Sequence, residues 1–182
     1  QLHQILISNN IQCSYRHTCR MVEQLNKYLT FERRKQKIIY LNKVGRNFIN
    51  SDRVIKRTSH FEHMLLANDV FIYFGCPATW KTEYVITVSK NQNTSSFIKI
   101  DISGLKIKNQ DRIICDAFFQ KNGYTYLIEI DNVQRSTGNQ KKINQYLDSW
   151  SEINKQYQNP VLCIFTKSPK RKKTFQEQLR NV

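Results

Sequence analysis

Three carboxylates stand where one tight turn would bring them together. The segments Cys115-Asp116-Ala117-Phe118 and Leu127-Ile128-Glu129-Ile130-Asp131 flank Lys121-Asn122-Gly123-Tyr124. An Asn-Gly step between two apolar runs is the strongest short hairpin signal in a sequence, because both loop positions of the favoured turn need positive φ. With Asn122 and Gly123 as the loop, Lys121 pairs with Tyr124, Phe119 with Tyr126, Ala117 with Ile128 and Asp116 with Glu129. Alternation along the strand then puts Asp131 on the face of the other two acids. Directly opposed residues lie about 4.5–5.5 Å apart at Cβ, where like charges repel. A compensating cation removes that repulsion. A hard divalent cation such as Mg²⁺, held by one or two carboxylates and by substrate phosphates, is the kind such an arrangement suits.

The plainer alternative makes all three acids solvent-facing strand residues. Ile113, Ile114, Phe118, Phe119, Tyr126, Leu127, Ile128 and Ile130 argue against it, since they place apolar groups on both faces, as in strands covered on both sides.

Around this hairpin the pattern reads as an α/β region. Glu83-Tyr84-Val85-Ile86-Thr87-Val88 and Phe97-Ile98-Lys99-Ile100 read as strands, separated by a polar loop over 90–96. A long amphipathic helix is expected from about Asn139 to Tyr157, burying Ile143, Tyr146, Leu147, Trp150, Ile153 and Tyr157. A buried strand, Val161-Leu162-Cys163-Ile164-Phe165-Thr166, and a basic tail over 167–173 follow. Hairpin, helix, then strand implies a mixed sheet with covering helices.

The first fifty residues read differently: helix, helix, short hairpin, helix. Ser14 is a suitable N-cap for a helix running to about Leu29, with Thr18, Met21, Val22, Leu25, Tyr28 and Leu29 toward the core. Its other stripe carries Arg16, Arg20, Gln24 and Lys27. The following hairpin holds Arg33, Arg34, Lys35 and Lys37 near its tip. A polar-faced helix followed by a basic hairpin is the layout of a winged helix-turn-helix, with one element for the major groove and one for phosphate. The apolar segment from Ser59 to about Tyr73 links the halves, and Gly75-Cys76-Pro77 ends it. The expected domains are residues 1–57, binding DNA, and 58–182, the α/β part.

Composition agrees with a polyanionic partner. The 182 residues hold 29 Lys and Arg against 14 Asp and Glu, a formal charge of +15. Such a surplus selects nucleic acid or an acidic membrane surface. No apolar run is long enough to span a bilayer and no signal peptide is evident, so nucleic acid is preferred over membrane. Five cysteines without a C-x-x-C spacing read as reduced thiols of a cytoplasmic protein. Neither Cys13, His17 and Cys19 nor His60 and His63 make a four-ligand pattern, so structural zinc is not expected. The chain begins at Gln1 rather than Met, which leaves open whether an N-terminal element precedes it.

Taken in order, Tyr40-Leu41-Asn42-x-x-Gly45, His63-Met64-Leu65-Leu66-Ala67-Asn68-Asp69, Glu83, Asp116-Ala117, Glu129-Ile130-Asp131 and Lys142-x-x-x-Tyr146 resemble the replication-relaxation family of plasmids and mobile elements. Similar architecture is found in mobilisation relaxases whose catalytic half has the restriction-endonuclease, or PD-(D/E)xK, fold. The resemblance covers nearly the whole chain through short motifs in a fixed order. It implies an N-terminal winged helix-turn-helix followed by a nuclease-like mixed sheet flanked by helices, binding double-stranded DNA at an origin of replication or transfer and nicking one strand there. Single-stranded DNA as a further partner, and a homodimer, are left open.

Under that resemblance Glu83, Asp116 and Glu129 take the acidic metal-binding positions, with Asp131 as the alternative to Glu83 in completing the shell. The usual lysine two residues after the last acid is replaced by Asp131; Lys142 or Lys141, on the following helix, is the candidate to reach back and supply the same cation. Cys115 replaces the proline before the second acid, and Glu83 precedes a β-branched run that favours strand where helix is usual. A non-catalytic origin- or promoter-binding factor on the same fold is the second reading, favoured by the missing lysine. A histidine-rich tyrosine relaxase is disfavoured, because His3, His17, His60 and His63 form no His-apolar-His triplet, although Tyr124, Tyr126 and Tyr146 lie near the acids.

Overall fold

A computed structural model describes residues 1–34, 36–55, 61–89, 110–132 and 136–180, with no account of the side chains at 89, 110, 111 and 136–139. Lys35, His60, the polar loop and the segment Phe97-Ile98-Lys99-Ile100 lie outside the described residues. The chain divides into two compact units, Gln1–Cys76 and Pro77–Val182. Among the described residues the fold is mixed α/β, with six α-helices, a two-stranded hairpin and a four-stranded mixed sheet. No helix there is long and apolar enough to cross a membrane.

In the first unit, α1 spans Leu2–Ser8 and α2 spans Tyr15–Gln24. Ser14 caps α2 as its sequence suggests, its Oγ accepting from His17 N at 3.1 Å. The expected helix to Leu29 is corrected: α2 ends at Gln24, Asn26–Tyr28 tighten into one 3₁₀ turn, and Leu29 opens strand β1. Tertiary pairing overrides helical spacing here, because Leu29 must be extended to face Leu41. Strand β1 (Leu29–Arg33) pairs antiparallel with β2 (Lys37–Leu41), and α3 (Lys43–Phe48) follows. Helix α4 spans Phe61–Tyr73, and the positive φ of Gly75 and Cys76 reverses the chain after it.

The Asn42-x-x-Gly45 spacing has a physical cause. Asn42 Oδ1 accepts from Gly45 N at 2.9 Å as the cap of α3, while Asn42 Nδ2 donates to Lys27 O at 2.9 Å. Together these bonds pull α3 against the 3₁₀ turn. A Cβ on Gly45 would lie 2.3 Å from the main-chain oxygen of Tyr28, so only glycine fits.

The second unit runs β3 (Lys81–Ser89), β4 (Gln110–Lys121), β5 (Tyr124–Asp131), α5 (Ser136–Gln156), β6 (Pro160–Thr166) and α6 (Pro169–Leu179). The sheet order is β3-β4-β5-β6, antiparallel except for the parallel pair β5/β6. Ile86, Ile113, Cys115, Leu127, Tyr146 and Ile153 belong to one buried cluster that fixes α5 on the sheet. The expected basic tail is instead the start of α6. Ser168 caps it and Pro169 occupies its first turn, while Phe175 buries one side of it. Coverage on both sheet faces also holds only in part: Phe118, Phe119, Leu127 and Ile128 are buried, but the cross-strand neighbours Val85 and Ile114 are exposed.

Replacing Gly45 by alanine tests the close approach of α3. Overpacking against an unyielding main-chain oxygen is expected to cost about 1–3 kcal/mol in urea unfolding. A loss below about 0.5 kcal/mol, within the usual range for harmless surface changes, would show that α3 does not sit where described.

Candidate functional site

The Asn-Gly turn does what the sequence requires of it. Asn122 has φ 52 and Gly123 φ 78, and the paired residues run from Lys121↔Tyr124 through Phe119↔Tyr126 to Ala117↔Ile128. Asp116 and Glu129 lie one step past the last of these pairs. There a side chain takes over from the ladder, with Ile130 N donating to Asp116 Oδ2 at 2.7 Å.

Glu129 is held in a similar way. Tyr146, one helical turn beyond Lys142 on α5, donates its hydroxyl to Glu129 Oε1 at 2.6 Å. Each carboxylate therefore has one oxygen anchored by a protein donor, and its other oxygen turns toward the same ammonium. Lys142 Nζ lies 2.5 Å from Glu129 Oε2 and 3.9 Å from Asp116 Oδ1. Of the two lysines considered, Lys142 is the one that reaches the acids, while Lys141 is exposed. A cavity of about 20 Å³, room for one water-sized body, is lined by Glu129, Asp131, Lys142 and Tyr146.

Asp131 shares that cavity but has its own partners. Its Oδ2 accepts from Thr166 Oγ1 at 2.8 Å on β6 and from Arg171 Nε at 2.5 Å on α6. Burial to 4 % exposure makes such pairing necessary. Thus Asp131 ties α6 to the sheet. Arg171 and Thr166 were not singled out from the sequence; the available signal was Ser168-Pro169 as a helix start with Phe175 and Leu179 on one face behind it.

Glu83 is exposed on β3, between the pairs Thr82↔Ala117 and Tyr84↔Cys115, with φ 52 where a strand residue should be negative. Its strand setting follows the β-branched run after it. Among the described residues, no group of three or more His, Cys, Asp or Glu side chains could hold a metal ion. The structure therefore joins Asp116, Glu129 and Lys142, places Asp131 beside them in an ion pair, and leaves Glu83 outside.

The same burial sets the protonation states. It pushes the Glu129 carboxyl up to about 7, against the opposite pull of Lys142 and with Asp116 adding to the rise. Tyr146 is raised by burial and by the Glu129 charge, so it stays a hydrogen-bond donor. Cys115 is pushed up to about 12, chiefly by burial, and its Sγ contacts Tyr84 O at 3.5 Å. A thiol so placed is neutral and inert. Tyr124 is half-exposed at the turn and Tyr126 stacks on Phe119, so neither is held at the acids.

In the first unit, Arg16, Arg20 and Gln24 are exposed along α2, and Lys27 is exposed on the 3₁₀ turn, away from buried Thr18 and Val22. Arg33 and Lys37 are exposed and face each other at the end of the hairpin. Arg34 is more constrained, its Nε lying 2.7 Å from Glu32 and its guanidinium 4.9 Å from the centre of the Phe61 ring. His3 and Cys13 both contact Thr18 Oγ1, at 3.1 and 3.4 Å, which is a packing role.

No protein-family model, curated protein or solved structure matches the chain.

Glu129 makes the fold sensitive to pH in a definite direction. A carboxyl whose folded pKa is raised binds more protons in the folded than in the unfolded state between about 4.5 and about 7, so stability falls as pH rises through that window. Relative to E129Q, which keeps the Tyr146 bond, the native chain is expected to lose on the order of 3 kcal/mol between those limits. Urea unfolding of both proteins across the window measures it. Parallel curves would remove the buried, proton-binding Glu129 from the account.

Proposed function

We propose that this chain is a DNA-binding protein of a plasmid or mobile element that acts at an origin and nicks one strand there with a divalent cation. In this reading the first unit is a winged helix-turn-helix, and the second a restriction-endonuclease-like module. The observation that carries it is the convergence of Asp116 Oδ1 and Glu129 Oε2 on one cationic position while their other oxygens are fixed by Ile130 N and the Tyr146 hydroxyl. Fixed carboxylates that each present an oxygen to a single cationic position are what a hard cation needs. Two of them suffice for Mg²⁺ or Mn²⁺, which keep waters and substrate phosphates as remaining ligands.

Asp116 and Glu129 would hold the ion. Bound there, it would polarise a phosphate and lower the pKa of an attacking water. Tyr146 keeps Glu129 oriented, and its raised pKa keeps it a donor throughout. Lys142, partly exposed, is the group able to turn from the carboxylates to a phosphate oxygen and offset charge developing on it. In the first unit, Arg16 and Arg20 on α2 meet base edges and phosphates, while Arg33 and Lys37 meet the backbone beside them.

One observation favours a second reading. Lys142 already compensates both acids, so the pair is stable without metal, as in an accessory factor that binds an origin without cutting it. A supercoiled plasmid carrying the origin, incubated with protein and Mn²⁺, separates the two. Nicking by the native chain, lowered at least about 100-fold in D116N and E129Q while duplex binding persists, is the expected outcome. R16A and R20A should each weaken binding of the origin duplex by about 1–3 kcal/mol. Duplex binding without any nicking would leave the accessory factor.

A further inference from the structure

The face of α6 turned toward β6 borders a groove that the reading above does not use. It is an open-sided groove of about 520 Å³. Ile164, Phe175 and Leu179 make its apolar floor, and the exposed Lys172 and Arg180 stand on it. Ile164 and Phe175 also line the small cavity beside Glu129, so the groove and that cavity share a wall.

From 169 to 180 the chain carries Lys170, Arg171, Lys172, Lys173 and Arg180 against Glu177 alone. Arg171 is engaged by Asp131, which leaves Lys172 and Arg180 as cations on the groove itself. Eight residues separate them, about 12 Å along a helix. Their long side chains can reach phosphates of one strand on either side of the apolar floor. An apolar floor between two cations suits a base between its neighbouring phosphates. A base inside a duplex cannot reach such a floor, because its faces are stacked.

We propose that the β6/α6 groove seats single-stranded DNA, with one base against Ile164, Phe175 and Leu179 and the adjoining phosphates on Lys172 and Arg180. The site needs neither a metal nor cleavage, and it stands if nicking is never seen. It seats the unpaired strand next to the cavity that Glu129 lines.

The test is fluorescence anisotropy of the full chain with a labelled short oligothymidine in chelator, against an abasic strand with the same number of phosphates. Oligothymidine is expected to bind at least about fivefold tighter than the abasic strand, the lower end of what one buried base contributes. K172E/R180E should lose that preference and most of the affinity, with an unchanged melting temperature. The charge-matched K43E/K155E should keep the preference. Equal binding of the abasic strand, or a base preference surviving in K172E/R180E, would overturn the assignment. So would polyglutamate or anionic vesicles displacing the strand as well as unlabelled oligothymidine does, since the groove would then be a general seat for polyanions.

Discussion

One ammonium between two carboxylates holds the second unit's buried acidic cluster in place. Glu129 is buried and Asp116 largely so, and two such acids cannot both stay charged side by side without a cation. Lys142 supplies it from α5, and Tyr146 completes the arrangement one turn later. Both residues depend on the apolar face of the same helix. Ile143 and Ile153, nearly inaccessible, seat α5 on the sheet and so aim the lysine and the tyrosine at the strands. Packing gives the direction, and the ion pair uses it.

The strands themselves are set by local conformation. Positive φ at both Asn122 and Gly123 fixes a two-residue reversal, and a slip of one position would turn Glu129 and Asp131 to the opposite face. Another positive-φ residue, Glu83, sits mid-strand in β3 opposite Asp116 in the register. For a residue with a side chain this conformation costs roughly 1–2 kcal/mol.

What the sequence made legible was local. The turn and its register, the N-cap at Ser14, the extent of α5 and its buried face all follow from rules acting within a few residues. Lys142 was legible as one of two lysines on a helix that had to reach back, and helical phase against Ile143, Tyr146 and Ile153 decides between them. What escaped depended on distant partners. Leu29 left its helix for a pairing with Leu41, α6 hid behind a run of basic residues, and Arg171 meets Asp131 across forty positions of chain. No periodicity within either segment announces such a contact.

Asp131 shows why partners matter more than types. In the sequence it equals Asp116 and Glu129, and alternation places all three together. Arg171 neutralises it, so the pair contributes no net charge where a phosphate would approach. Asp116, Glu129 and Lys142 then sum to one negative charge when all are ionised, and to none when Glu129 holds a proton, as burial inclines it to near neutral pH. A divalent cation displacing that proton would leave the group at plus one, the sign that receives a phosphate. Had Asp131 remained free, the same ion would only reach neutrality, and the site would hold metal without attracting the backbone it must act on. The salt bridge to α6 is thus an electrostatic condition for the proposed chemistry as well as a structural tie.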